Sequence, residues 1–193
     1  MNDILAAVIG GFLAAGTGWF LQTRQELSRM KRLKRLMITG VRDDLKSSDE
    51  LYARVLDEWD KTQIVWFTTL NELRESRQTY LKNRDWLILF EDEGLRQRVF
   101  RYYHRSTDYL NLLENQQRRK YDIQTKLNEI VRDLQLRNEG LTRDQAVNQA
   151  VSLMLPEDQE LAGINAMLPQ NIQRTRDFRS EAKEILSTLT SSN

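Results

Sequence analysis

The chain opens with a long apolar run. Ile4–Leu21 carries no charged residue, and as a helix it would extend roughly 27 Å, close to the hydrocarbon thickness of a bilayer. A cleaved signal peptide needs a basic start and small residues at its end, whereas this run follows Asp3 and ends near Trp19 and Phe20. We therefore expect a single transmembrane helix, within an anchor at residues 1–23, in preference to a signal peptide or a buried helix.

A basic segment follows the apolar run and sets its expected orientation. Its six cations are Arg24, Arg29, Lys31, Arg32, Lys34 and Arg35. The single anion among them is Glu26, and the other flank of the apolar run carries only Asp3. The positive-inside rule then predicts an inner-membrane protein with its N-terminus outside and its C-terminal part in the cytoplasm. The same cations could bind lipid head groups or only set the topology.

Small residues recur every four positions along the apolar run. One column holds Ala6, Gly10, Ala14 and Gly18, and the adjacent column holds Ala7, Gly11 and Ala15. Residues four apart share a helix face, so these columns predict a smooth surface for close helix packing. The expected partner is a second copy of the chain or the span of another membrane protein.

The next segments show the apolar spacing of amphipathic helices. Residues 24–46 predict one such helix, with Gly40 as its weak point. Ser47–Glu50 matches a capping box and predicts the start of a second helix. Its apolar positions continue at heptad-like spacing to Tyr80, which is typical of a coiled-coil seam.

A further long helix is expected after the acidic residues 91–93, with an apolar stripe from Leu95 to Leu134 and an end near residues 138–140. It is separated from the preceding helix by an interruption at residues 82–94, which holds a short apolar run. Two long helices joined by a short connection lie antiparallel, so residues 47–138 predict a hairpin. Its interior would contain the aromatic residues Trp59, Trp66, Tyr102 and Tyr109.

Residues 139–193 predict short C-terminal helices and a frayed tail. Thr142–Gln145 is a second capping box, Pro156 ends its helix, and Leu168–Pro169 breaks the chain again. The expected fold class is thus all-α: a transmembrane helix that continues into a cytoplasmic helical domain with a long antiparallel hairpin.

Composition removes most classes of chemistry. The chain of 193 residues has a net charge of +1, no cysteine and one histidine, His104. A balanced charge gives no reason to expect nucleic-acid binding. The absence of cysteine and the single histidine leave no thiolate or histidine-cluster metal site. No phosphate-binding loop, hydrolase motif or metalloprotease motif is present, so we expect no cofactor, no metal, no catalytic residue and no enzymatic activity.

One group of cations could bind an anion. Arg98, Arg101 and Arg105 share a face of the third helix, and Arg74 and Arg77 lie near the same end of the expected hairpin. Such a cluster could hold a small anionic ligand through bidentate contacts. The alternative is a solvated face, because acidic residues are close in sequence and would pair with these arginines.

Together these features predict a membrane-anchored scaffold or interaction protein without catalytic activity. The alternative is an effector that is gated by a ligand or a partner and perturbs the membrane through its spans. An enzyme ranks third, because no catalytic constellation is visible.

Overall fold

The computed structural model describes the backbone of residues 2–191 and the side chains of residues 17–191. The structure is built from six α-helices and one 3-10 helix: α1 Asn2–Thr62, α2 Phe67–Glu75, α3 Gln78–Asn83, a 3-10 helix Arg84–Leu89, α4 Glu93–Arg137, α5 Arg143–Leu153 and α6 Leu155–Ser191. The described backbone contains no strand, so the all-α prediction is confirmed.

Two helix starts lie where local sequence signals place them. The side chain of Asp92 caps α4 by accepting a hydrogen bond of 3.0 Å from the backbone N–H of Leu95. At the start of α5, Thr142 and Gln145 form the reciprocal capping box that their spacing predicts. Such caps satisfy backbone N–H groups that have no partner within the helix.

The helix start expected at Ser47–Glu50 is wrong, because α1 continues through it. Ser48 is fully buried and its hydroxyl lies 3.1 Å from that of Ser76, which precedes α3. The serines at this point serve helix packing, and the boundary expected between residues 46 and 47 does not exist in the fold.

The helix expected to continue to Tyr80 ends instead at Thr62. There the Thr62 hydroxyl donates to the Glu58 carbonyl and accepts from the Ile64 backbone N–H, at 2.7 and 3.2 Å. Gln63 adopts a φ of 54°, which directs the chain away from the helix axis. Side chains thus replace the missing helical hydrogen bonds, and α2 and α3 form separate short helices.

The expected two-helix hairpin is also wrong, because α6 lies between the two helices that were expected to form it. Arg42 donates to the Leu189 carbonyl at 3.0 Å, and Arg179 donates to Asp49 at 2.8 Å, so α6 runs antiparallel to α1. On its other side, α6 runs antiparallel to α4, where Arg105 pairs with Glu181. Residues 155–191 are therefore the central helix of the bundle.

Pro169 lies inside α6, so the break expected at Leu168–Pro169 is wrong. Proline removes one backbone hydrogen bond and disfavours a helix interior. Here tertiary contacts compensate: Leu168 and Ile172 are buried, and the Asn171 side chain donates to the Gln116 side chain at 2.9 Å.

Aromatic rings fill the space between α1, α4 and α6. Phe178 of α6 stacks on Tyr52 and on Tyr109, with ring centroids 5.8 and 5.1 Å apart. Tyr102 and Tyr109 are buried as predicted. Trp66 is 51% exposed, because it follows the unexpected end of α1, and its expected place in the interior is wrong.

The expected transmembrane helix needs correction. Ile4–Leu21 is helical as part of α1, although its side chains before residue 17 lie outside the described ones. Over the part of the chain that the structure describes, no helix is both long and apolar enough to span a bilayer. The predictions of a transmembrane helix and of a single-pass inner-membrane protein are therefore wrong. The described part of α1 is strongly charged from Arg24 onward. The alternative of an effector that perturbs the membrane depended on the same transmembrane helix.

Candidate functional site

Residues 17–36 of α1 project beyond the helical bundle. No side chain of residues 17–36 is buried, and Met37 is the first that is. At ~1.5 Å per residue these positions extend roughly 30 Å. Lys34 marks the base of the projection, where it forms an ion pair of 2.5 Å with Glu91 in the turn before α4. We call residues 17–36 the arm.

The arm carries an apolar stripe on the face that α1 buries in the core. Within the bundle this face presents Met37, Val41 and Leu45, which are at most 1% exposed. The same three- and four-residue spacing continues outward through Met30 and Leu27, which are 48% and 58% exposed. Trp19 and Phe20 lie further out and are 71% and 57% exposed. A core-type stripe therefore continues along the arm without a covering helix in the described structure.

Basic side chains flank this stripe. All six cations predicted to set topology or bind head groups lie on the arm, and Arg24, Lys31 and Arg35 occupy one column along its edge. Among the described residues, no carboxylate lies within 4.0 Å of Arg29, Lys31, Arg32 or Arg35. The arm is thus both apolar and strongly positive.

The small residues expected to form a helix-packing surface lie mostly outside the part of α1 whose side chains the structure describes. The side chains of Ala6, Ala7, Gly10, Gly11, Ala14 and Ala15 lie outside the described ones. Gly18 lies on the arm, and a Cβ added there would meet nothing within 4 Å.

The five arginines proposed to bind an anion are not brought to one surface. Arg74 bonds to Glu114 and Asn111, Arg101 bonds to Gln97, and Arg105 pairs with Glu181 and lies over the Phe178 ring. Arg98 is exposed. Arg77 alone is enclosed in the core, where it is 2% exposed.

An apolar groove of about 640 Å³ lies where α1 ends beside α4. Trp66 and Tyr121 line it and are 51% and 63% exposed, together with Ile64 and Phe67. Sequence reasoning missed this groove because it assigned Trp66 to the interior. The end of α1 at Thr62, which brings these residues to the surface, has no glycine or proline to signal it.

The surroundings of His104 offer no catalytic arrangement. Its side chain is 70% exposed, and its Nε2 lies 3.9 Å from the Asp108 carboxylate. Within the described residues, no group of three or more histidine, cysteine or acidic side chains could hold a metal ion. The expectation of a protein without catalytic activity stays a prediction.

Comparisons with protein-family models, with curated proteins and with solved structures find no match.

Proposed function

We propose that this protein is a helical adaptor that binds a partner protein along the arm. The observation that carries the proposal is the continuity of the apolar stripe: Met37, Val41 and Leu45 are covered by the bundle, whereas Met30 and Leu27 of the same stripe are exposed. A helix seldom keeps such a face in water without a partner, because burying it is favourable by about 25 cal/mol per Å².

The charge of the arm indicates what kind of partner would fit. Residues 24–35 contain six cations and one anion, so pairing two arms would bring like charges together along both edges of the interface. An acidic amphipathic helix instead would place its apolar residues on Leu27 and Met30 and its carboxylates beside Lys31 and Arg35. Coiled-coil partners are selected in this way by the charges that flank the apolar seam.

The proposal divides the molecule into two parts with different tasks. The bundle buries the lower half of α1 against α6 and fixes its direction. The arm presents its stripe and cations on a rigid helix, so less conformational entropy is lost on binding than with a disordered segment. Partner selection then depends on charge, and it weakens as salt screens the exposed cations.

A binding measurement with a defined peptide tests the proposal. The probe is a labelled helical peptide with leucine at its seam positions and glutamate at the flanking positions, and fluorescence anisotropy reports its binding to the full chain. We expect Lys31→Glu together with Arg35→Glu to weaken binding roughly tenfold or more. The matched control is Arg132→Glu together with Arg137→Glu, which reverses two exposed charges on α4.

Three outcomes would contradict the proposal. The first is equal binding of the peptide by the two charge-reversal variants. The second is binding to anionic lipid vesicles without binding to the peptide. The third is self-association of the unaltered chain through the arm, seen by sedimentation and removed by Leu27→Asp.

A further inference from the structure

Arg77 is a cation enclosed in the core. Only 2% of the residue is exposed, and its Nη1 donates to the hydroxyls of Ser106 and Thr107, at 3.0 Å each. Both hydroxyls in turn donate to the Tyr103 carbonyl, at 3.1 and 2.8 Å. These hydrogen bonds fix one edge of the guanidinium against α4 without neutralising its charge.

No described carboxylate lies within ion-pair distance, 4.0 Å, of Arg77, and its buried Nε has no hydrogen-bond partner there. Burial lowers the pKa of Arg77 from its ordinary value, yet a guanidinium stays protonated in proteins. A buried charge without compensation costs several kcal/mol. A negative charge beside Nε would therefore compensate the buried guanidinium.

Two further donors lie on α4, four residues before the Ser106 and Thr107 that hold the guanidinium. Tyr102 and Tyr103 are at most 1% exposed, and neither hydroxyl has a hydrogen-bond partner among the described residues. Because residues four apart share a helix face, both side chains project from the faces of α4 that contact Arg77. Burial raises the pKa of both phenols above the ordinary value, so each keeps the proton that it can donate.

The one carboxylate that is buried among the described residues, that of Asp44, is engaged elsewhere. Asp44 accepts a hydrogen bond of 2.8 Å from the Tyr80 backbone N–H, and the Tyr80 ring stacks on Tyr103 with centroids 3.8 Å apart. This carboxylate therefore faces the start of α3 and leaves the donors around Arg77 available.

We propose that the core binds one small monovalent anion, of the chloride class, through Arg77 Nε and the hydroxyls of Tyr102 and Tyr103. Three donors and a fixed positive charge match the needs of such an ion. The enclosure by almost fully buried residues excludes a nucleotide or a phosphorylated ligand. The site is separate from the arm, and the proposal does not depend on the adaptor function.

Thermal unfolding in salts of different anions tests this proposal. The full chain is unfolded in sodium chloride, in sodium bromide and in sodium gluconate at equal ionic strength. Because a ligand that binds only the folded state stabilises it, we expect chloride and bromide to raise the unfolding midpoint above that in gluconate by roughly 2–6 °C. The difference should vanish in Arg77→Met and persist in Arg74→Met, which removes a half-buried cation that is paired with Glu114.

Crystals of the unaltered protein soaked in bromide give a second readout, which does not require Arg77→Met to fold. We expect an anomalous bromide peak within hydrogen-bond distance of Arg77 Nε. Equal midpoints in chloride and gluconate, or bromide-soaked crystals without a peak at Arg77, would overturn the proposal and leave water as the partner of these donors.

Discussion

Gly40 of α1 and Thr79 of α3 are in such close contact that a Cβ on Gly40 would overlap the Thr79 methyl group. The glycine that looked like a weak point of an amphipathic helix is thus the position where α3 crosses α1. Next to it, the Thr79 hydroxyl hydrogen-bonds to Asp44, so this contact joins the two helices at the base of the bundle.

Gly40→Ala should therefore destabilise the protein although alanine favours helices. Overpacking costs roughly 1–3 kcal/mol and the gain in helix propensity is about 1 kcal/mol, so we expect a net loss of up to about 2 kcal/mol in denaturant unfolding. Thr79→Ser removes the methyl group and keeps the hydroxyl for Asp44, and it should restore stability in the double variant. An alanine variant as stable as the unaltered chain would show that the crossing is not tight.

Tyr109 should contribute to stability through its hydroxyl. That hydroxyl donates to the Asn171 carbonyl at 2.9 Å and lies 2.5 Å from the buried Thr175 hydroxyl. Tyr109→Phe leaves both groups buried without this partner, so we expect a loss of about 1–3 kcal/mol. The control is Tyr121→Phe, because Tyr121 is 63% exposed and its change should stay within ~0.5 kcal/mol. Similar midpoints for the two variants would contradict the prediction.

Asp44 should make stability depend on pH. Burial raises its pKa in the folded state above the ordinary value of 3.8. The folded state then binds the proton more tightly than the unfolded state, so this group's contribution to stability falls as pH rises from about the unfolded pKa through the raised folded pKa. Asp44→Asn keeps an oxygen that can accept from Tyr80 and should lack this fall. The variant's stability advantage should therefore grow with pH across that window, and an advantage that shrinks with rising pH would refute the argument.

The arm should be dispensable for the fold of the bundle. Residues 17–36 bury no side chain, and a chain that begins at Leu33 retains the Lys34–Glu91 ion pair. We expect this shortened chain to keep the helical circular dichroism of the remaining residues and to unfold within about 2 °C of the full chain. A broad or early transition would mean that the arm helps to hold the bundle together.

The parts of the fold that could be predicted from sequence depend on local chemistry. Asp92 and the Thr142–Gln145 pair cap their helices through contacts a few residues away, so their spacing is informative. Ser47–Glu50 has the same pattern, but burial of the neighbouring Ser48 against Ser76 keeps α1 helical. Pro169 likewise does not break α6, because Asn171 forms hydrogen bonds with Gln116 and Tyr109 of α4 that stabilise the helix there.

The arm could be predicted only in part. Its cations and the three- and four-residue apolar spacing are visible in the sequence. From the sequence alone, however, both features indicate a helix that leaves a membrane. Whether such a stripe is covered depends on where the bundle ends. That end is set by α6, which reaches α1 at Arg42 through the Leu189 carbonyl. The burial of Arg77 could not be predicted from the sequence either. The residues that surround it come from α4, which is distant in sequence.

Site-specific photo-cross-linking is the most direct test of the arm as a partner-binding surface. A photoreactive amino acid replaces Leu27, which is 58% exposed on the stripe, or Leu136, which is 70% exposed near the end of α4. After irradiation in cells that produce the protein at its native level, we expect one cross-linked partner from position 27, lost with Lys31→Glu and Arg35→Glu, and none from position 136. The same products from both positions, or a product of position 27 that consists of two copies of this chain, would contradict the account.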